Sequence, residues 1–266
     1  MRSFKRNIRL QYSEFRHRVR IAEIKSEISY LYNDKIKLVR SGSRGADSIY
    51  VAIGDGGQRL GVLRLVNPFR KRKRAASGMP YIVLDGPERV KRELEAYSLG
   101  GPNKITPKVI WHAEDALLCE YYDGYTSLEL YKKSKINAVQ LLEIGWNALK
   151  SAHNLGILHM DASIENILIS RNLEEFRLVD FEFGAADFMT FEDQCVYDYL
   201  RYLESFLKFL EPQSYAALTD FIQSCDLLKQ FTVTPDKLNQ LMHSLIRLKR
   251  NQKLLSVVES SFGEGS

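Results

Sequence analysis

The chain has 266 residues, enough for one large domain or a pair of lobes, and its apolar share of 45% and charged share of 27% are those of an ordinary globular protein. Its three cysteines are far apart and show no C-x-x-C spacing, which argues against a disulfide framework or a zinc site. No segment has the apolar length of a membrane span, and the basic N-terminus lacks the apolar core of a signal peptide. We therefore expect a cytoplasmic protein.

The net charge of +5 is unevenly distributed along the chain. Residues 1–20 carry seven basic residues against Glu14 alone, and residues 70–74 form an unbroken basic run. Each cluster is consistent with a solvated surface or with peripheral contact to an anionic surface such as membrane headgroups. Few aromatic residues are interleaved with these basic ones, which argues against a base-stacking platform for nucleic acid.

The first predicted element is an amphipathic helix within residues 1–33, an N-terminal extension ahead of the main fold. Its apolar positions recur at helical spacing. They are Phe15, Val19, Ala22, Ile24, Ile28 and Leu31.

Residues 34–122 are predicted to form a first lobe built on a small antiparallel sheet. A helix with Pro87 near its first turn lies between its third and fourth strands. Alternating or short apolar segments predict strands at residues 36–40, 47–53, 58–66, 108–111 and 117–121.

The loop of the first predicted hairpin contains Gly42, Ser43 and Gly45. Glycine lets the backbone approach a phosphate closely and turn its N–H groups toward it, so we predict these residues as nucleotide contacts. A plain β-hairpin turn without a ligand is the alternative.

Residues 123–266 are predicted to form a second, mostly helical lobe. Its helices are predicted over residues 141–152, from Thr190 onward, and from Thr234 through Leu254. Between the first two helices, the short apolar runs 167–169 and 176–179 predict a β-hairpin.

Three oxygen-bearing side chains flank this second hairpin. Asp161 and Asn166 lie in the loop before it, shortly after His159, and Asp180 follows it. Phosphoryl transfer needs such a trio, because the protein must steer an attacking hydroxyl and hold Mg²⁺ against charged phosphate oxygens. A loop of capping Asp and Asn residues is the alternative.

The segments HMDASIENIL and LVDFEFG, with the REL around Glu93, resemble the kinase-like superfamily in its small bacterial branch of aminoglycoside phosphotransferases, choline kinases and lipopolysaccharide core kinases. The resemblance covers roughly residues 36–210. The segment FEDQCVYDYLRYLESF is also similar to minimal atypical protein kinases associated with transfer-RNA modification, in which Asp198 would tie the lower lobe to the catalytic loop. These likenesses imply an α+β, two-lobed, protein-kinase-like fold with a small antiparallel sheet lobe and a mostly helical lobe.

The resemblance also implies roles for the motif residues with ATP and Mg²⁺ as cofactors. Asp161 would orient the acceptor hydroxyl, and His159 would brace the loop by hydrogen bonding. Asn166 and Asp180 would hold Mg²⁺ through hard oxygen ligands.

In the first lobe, the resemblance places the phosphate-facing cation at Arg64, paired with Glu93 on the following helix. Backbone groups of the hinge, at Glu120 and Tyr122, would bind the adenine edge. Arg64 stands where the family carries lysine, and a planar guanidinium is not interchangeable with an ammonium at a phosphate. Candidate substitute cations are Lys35, Lys37 and Arg44.

These features predict a kinase that transfers the ATP γ-phosphate to an acceptor hydroxyl. The basic clusters favour an anionic, membrane-associated acceptor, such as a lipopolysaccharide core sugar or a related small molecule. Two alternatives stay open. One is a minimal atypical Ser/Thr protein kinase, and the other is a catalytically inactive, nucleotide-binding scaffold, a pseudokinase, for which Arg64 is the sequence feature.

Overall fold

The computed structural model describes residues 2–41, 46–70 and 75–263, except the side chains of residues 2–11, 13, 213, 226 and 227. Its elements form a small lobe built on an antiparallel sheet and a larger, mostly helical lobe. The predicted two-lobed α+β architecture is therefore confirmed. Within the described residues, no helix is both long and apolar enough to cross a membrane.

The small lobe is organised around one sheet and one internal helix. Its elements are β1 (Lys37–Ser41), β2 (Ser48–Ile53), β3 (Arg59–Leu65), α2 (Gly86–Gly100), β5 (Val109–Ala113) and β6 (Ala116–Glu120), with a short strand β4 (Tyr81–Val83) before α2. The five-stranded sheet has the order β1-β2-β3-β6-β5, and every pairing in it is antiparallel. Helix α2 begins at a capping box formed by Asp85 and Glu88, with Pro87 in its first turn.

A long N-terminal helix, α1 (Arg2–Tyr32), covers one face of this sheet. Ile24 and Ile28 are fully buried there and contribute to a small core between helix and sheet. The predicted apolar face is wrong in part, because Phe15 and Val19 are exposed. These two positions lie nine residues from the two isoleucines, which is half a turn of helix, so α1 carries two separate apolar stripes.

The helical lobe holds the larger core, which continues into α2 and β6. Its elements are β7 (Gly124–Thr126), α3 (Ser127–Lys132), α4 (Ala138–Asn154), β8 (Ile167–Ser170), β9 (Phe176–Leu178), β10 (Phe183–Ala185), α5 (Phe191–Phe209), α6 (Tyr215–Ser224), α7 (Pro235–Leu241), α8 (Ile246–Arg250) and α9 (Gln252–Ser260). The predicted hairpin is confirmed as β8 and β9, and β7 adds a third antiparallel strand. The predicted start of α5 at Thr190 is also confirmed, since its hydroxyl accepts a hydrogen bond from the N–H of Asp193.

The single long helix predicted from Thr234 through Leu254 is wrong, because the chain breaks there into α7, α8 and α9. The side chain of Asn251 caps α9, and the carboxylate of Glu204 on α5 accepts hydrogen bonds from the backbone N–H groups of Arg247 and Leu248 at the start of α8. The leucines of this segment are nevertheless buried, namely Leu238, Leu241, Leu245, Leu248 and Leu254. Partners elsewhere in the fold therefore satisfy backbone groups that a continuous helix would have paired internally.

A two-stranded sheet that the sequence did not predict joins the lobes. Strand β4 of the small lobe pairs antiparallel with β10, which follows Asp180 by three residues. Both strands are only three residues long, too short for a periodic pattern to reveal them. The pairing ties the segment after the β8–β9 hairpin to the small lobe.

Candidate active site

A cavity of about 550 Å³ lies between the two lobes. Its walls are one face of β1, β2 and β3, the hinge residues 120–122, Leu168 on β8, and Val179 and Asp180 after β9. The predicted hinge residues Glu120 and Tyr122 therefore face the cavity. Its apolar lining, with polar groups at the hinge and at one end, is the usual composition of a small-molecule site.

The predicted glycine-loop contacts, Gly42, Ser43 and Gly45, lie outside the described residues. Ser41, the last residue of β1, lines the cavity. The candidate substitute Arg44 also lies outside the described residues, and Lys35 and Lys37 are exposed and do not line the cavity.

Arg64 lies at the inner end of the cavity among acidic side chains. Its Nε is 2.7 Å from Glu93 Oε2, its Nη1 is 3.2 Å from Asp47 Oδ2, and its Nη2 donates to Asp180 Oδ1. Burial opposes the charge, but these carboxylates outweigh it and raise the pKa of Arg64 well above its ordinary value. Burial also opposes the charge of Glu93 and so raises its pKa, although the charge of Arg64 acts in the other direction.

Asp47 is a buried carboxylate that sequence reasoning missed as a site residue. Its carboxylate accepts hydrogen bonds from both Arg64 and Arg89. Arg89 Nη2 is 2.5 Å from Asp47 Oδ1, and Arg89 Nε is 3.2 Å from Asp47 Oδ2. Arg89 is buried as well and also donates to the carbonyl of Leu84 at 2.9 Å. The only sequence signal is an acidic residue at the edge of an apolar strand, and nothing in the sequence identifies its partners.

The loop that precedes the hairpin is held by Asp198 on α5. The backbone N–H groups of His159 and Met160 donate to the two oxygens of Asp198, each at 2.7 Å, and His153 Nε2 lies 3.1 Å from Asp198 Oδ2. Asp198 is fully buried, and Met160 has a positive φ of 63°, a strained conformation for a residue other than glycine. The carboxylate thus fixes a tight turn immediately before Asp161.

His159 is buried beneath this loop. Its Nε2 lies 3.0 Å from the carbonyl oxygen of Val179, and its ring stacks on Phe181 with centroids 4.5 Å apart. It therefore links the loop before the hairpin to the segment after it, on both sides of Asp180.

Asp161 lines a second cavity of about 360 Å³ in the helical lobe. Arg201 Nη2 donates to Asp161 Oδ1 at 2.8 Å. Burial raises the pKa of Asp161 above its ordinary value, the charge of Arg201 lowers it, and the nearby charge of Asp180 adds to the rise. The second cavity is polar and also contains Glu182 and Lys208.

Asn166 connects Asp161 to the segment that carries Asp180. Its side-chain Nδ2 donates to the backbone carbonyl of Asp161 at 3.0 Å, and its backbone carbonyl accepts a hydrogen bond from the N–H of Val179 at 3.0 Å. Asp180 itself has a φ of 73°, so a non-glycine residue is again held in the left-handed region. The structure therefore places Asp161, Asn166 and Asp180 around β8 and β9, with the charge of Asp180 near enough to Asp161 to raise its pKa.

The donors at this place fit Mg²⁺. The amide nitrogen of Asn166 is engaged, which leaves its carboxamide oxygen as the ligand atom, and the carboxylate of Asp180 lines the interlobe cavity. Proteins commonly hold Mg²⁺ through one or two side chains together with substrate phosphates, so two protein ligands suffice. No cluster of three acidic, histidine or cysteine side chains that suits a metal occurs among the described residues.

Together, the sheet lobe with its Arg64–Glu93 pair, the hinge, and the loop and hairpin below it have the two-lobed arrangement that the sequence resemblance predicts. No protein-family model matches the chain, and no curated protein matches it. Among solved structures, the chain is similar to a crystal structure of the kinase domain of Mycobacterium tuberculosis PknI, with 15% sequence identity and a TM-score of 0.49. That match covers 79% of this chain and 94% of the PknI chain. The likeness assigns neither an activity nor a substrate to this chain.

Proposed function

We propose that this protein is a kinase that transfers the γ-phosphate of ATP to an acceptor hydroxyl in the presence of Mg²⁺. The observation that carries the proposal is the convergence of Asp161, Asn166 and Asp180 around one hairpin, beside a cavity between two lobes. Phosphoryl transfer needs little covalent chemistry from the protein, so positioning of hydroxyl, metal and phosphate is sufficient.

In this proposal each residue of the trio has a separate task. Asn166 and Asp180 would hold Mg²⁺, which when bound neutralises charge on the phosphate oxygens. Asp161 orients the acceptor hydroxyl and accepts its proton at a carboxylate oxygen. The raised pKa of Asp161 suits that task, because a base works best when its pKa approaches the working pH.

The nucleotide would occupy the interlobe cavity, with its adenine edge at the backbone of Glu120 and Tyr122. Arg64 lies at the far end of the cavity, where the phosphates would be. A bound triphosphate would compete with Asp180 for the guanidinium, while Glu93 and Asp47 keep the side chain in place.

The acceptor would bind in the second cavity, which contains Asp161. Three basic side chains of its lining, those of Arg201, Lys208 and Arg247, are balanced by three acidic ones, those of Asp161, Glu182 and Glu204. A polar cavity of balanced charge suits a molecule with many hydroxyl groups. We therefore favour a lipopolysaccharide core sugar or a related small polyhydroxylated molecule as acceptor.

Two observations support the alternatives. The anchoring of the catalytic loop by Asp198 matches the role expected from the likeness to minimal atypical protein kinases. The contact between Arg64 and Asp180 favours an inactive scaffold, since a guanidinium occupies one oxygen of the proposed metal ligand. Each alternative predicts a different fate for the γ-phosphate.

ATP labelled in the γ-phosphate, supplied with Mg²⁺ and with glycolipid and protein fractions, separates these functions. We expect label in the glycolipid fraction and a loss of turnover of about a hundredfold or more in Asp180→Ala. The matched control is Asp187→Ala, an exposed aspartate in the same segment, which should retain wild-type turnover. Label on protein would support the minimal protein kinase, and equal turnover by wild type and Asp180→Ala would leave only the inactive scaffold.

A further inference from the structure

The residue that directly precedes the second basic segment lies beside α1, on one side of the small lobe. Phe69, which precedes the basic run 70–74, packs against α1. Its ring lies edge-on to His17, with centroids 6.1 Å apart, and the guanidinium of Arg16 lies 5.2 Å from its centroid. Residues 71–74 are outside the described residues. The contacts of Phe69 therefore bring the start of the second basic segment beside the first.

The side of α1 turned away from the sheet carries exposed apolar side chains. Phe15 is 58% exposed and Val19 is 64% exposed, and Tyr12 and Tyr30 on the same side are exposed as well. This stripe lies half a turn of helix from the buried stripe that packs on the sheet. Grouped apolar side chains on a surface mark an interaction site more often than single ones do.

Arginines border this stripe and lie over its rings. The guanidinium of Arg18 is 4.1 Å from the ring centroid of Phe15, and that of Arg16 is 6.0 Å from the ring centroid of Tyr12. Arginine side chains place their aliphatic stems along apolar surface and keep their charge in water. An apolar stripe bordered by arginine on a helix suits the boundary between headgroups and acyl chains.

We propose that this surface, formed by Tyr12, Phe15, Arg16, Arg18, Val19 and Phe69 and named the α1 docking face, binds the surface of a bilayer that contains anionic lipids. The charge of the segment is complementary to such a bilayer, because residues 1–20 carry seven basic residues against Glu14 alone. Phe15 and Val19 would enter the boundary region, and the arginines would contact the headgroup phosphates.

The same details argue for a bilayer over nucleic acid. Single-stranded nucleic acid needs open aromatic faces on which bases stack. Guanidinium groups already lie over the rings of Phe15 and Phe69, and Val19, the most exposed of the three, has no ring. An acyl boundary accepts all three side chains without such a requirement.

The α1 docking face is fixed to the small lobe by polar contacts on the other side of the helix. Arg20 donates to both oxygens of Asp115, at 2.7 and 3.0 Å. The carboxylate of Glu14 accepts from Arg40 and from the hydroxyl of Tyr50, and Arg40 lines the interlobe cavity. A bilayer bound at α1 would therefore hold the cavity in a defined orientation to the membrane.

Sedimentation of the full chain with vesicles tests the proposal and does not depend on catalysis. We expect binding to phosphatidylcholine vesicles that contain one third phosphatidylglycerol and little binding to phosphatidylcholine alone. The double variants Phe15→Ser/Val19→Ser and Arg16→Glu/Arg18→Glu should each weaken the binding about tenfold or more. All four residues are exposed, so cooperative unfolding and ATP turnover should stay at the wild-type level.

Two matched controls separate this face from general effects of hydrophobicity and charge. Leu99→Ser/Ile246→Ser removes two apolar side chains of similar exposure elsewhere, and Lys249→Glu/Lys253→Glu makes the same change of net charge on the helical lobe. Both controls should sediment with vesicles as the wild type does.

Three outcomes would overturn the proposal. They are equal binding to neutral and anionic vesicles, equal losses in the controls and the α1 variants, and binding to single-stranded RNA with none to vesicles. A loss of ATP turnover in Asp180→Ala does not bear on the proposal, since Asp180 is not part of the α1 docking face and vesicle binding does not require catalysis. Failure of membrane binding and failure of the kinase activity are thus distinguishable.

Discussion

Replacement of Arg64 tests whether one guanidinium holds the two lobes' acidic groups together. Its three nitrogens contact different carboxylates, those of Glu93 on α2, Asp47 before β2 and Asp180 after β9. Arg64→Met removes the cation and leaves these carboxylates close together. Arg64→Lys keeps the charge but offers a single compact ammonium in place of a planar fork.

The expected losses in the free energy of unfolding follow from the burial of the carboxylates that Arg64 contacts. Glu93 and Asp47 are buried, and removal of one member of a buried ion pair typically costs about 3–5 kcal/mol because it leaves an uncompensated charge. We expect a loss in this range for Arg64→Met. Arg64→Lys retains one ion pair and loses a hydrogen bond to a charged group, for which about 1.5–3 kcal/mol is typical.

Urea unfolding, monitored by fluorescence and by circular dichroism, measures these losses as changes of midpoint at constant slope. The control is Arg171→Met, which removes an exposed arginine that pairs with exposed Asp123 and should leave the midpoint unchanged. In a double-mutant cycle, Arg64→Met and Asp47→Asn should couple by about 1 kcal/mol or more. A stable Arg64→Met variant, or equal losses in Arg64→Lys and Arg64→Met, would refute the reasoning.

Two further predictions concern the proposed base, Asp161, and the packing between α4 and α5. Burial raises the pKa of Asp161, and the charge of Arg201 lowers it. Arg201→Met should therefore move the acid limb of the pH profile of kcat/KM to higher pH, whereas Lys208→Met should leave it in place. An unmoved limb in Arg201→Met would argue against Asp161 as the titrating base. A Cβ at Gly145 would lie 2.0 Å from the buried ring of Tyr202, so Gly145→Ala should lower the free energy of unfolding by about 1–3 kcal/mol, and an unchanged urea midpoint would contradict this packing.

The parts of the fold that follow from short-range patterns were predicted well. Strand alternation, the capping residue Thr190 and the two apolar runs around the turn of β8 and β9 each depend on neighbours within about ten residues. The loop of Asp161 and the position of Asp180 after the hairpin share this property, because a two-stranded hairpin returns the chain to its start. Their convergence therefore required no knowledge of the rest of the molecule.

Periodic patterns in a single sequence carry no information on long-range partners. Two such contacts, Arg64 with Glu93 and Asp198 with the loop before β8, were expected only from the family resemblance, and the others were not predicted. Asp47 meets Arg89, which lies 42 residues later. Strands β4 and β10 are about a hundred residues apart and too short to show a period. The sequence predicted a single apolar face for α1, because only the position of the sheet decides which of its two apolar stripes is buried.

The structure changes the interpretation of Arg64 that the sequence suggests. By itself, arginine at a lysine position suggests a lost activity, because a guanidinium is too large to act as a compact cation at a phosphate. Arg64 contacts Asp47 through Nη1 and Glu93 through Nε, whereas a lysine would have a single nitrogen to offer both carboxylates. Arg89 in turn balances the second buried acid. The substitution is matched by a partner 17 residues upstream, so the guanidinium is held in place by the fold and does not by itself indicate an inactive scaffold.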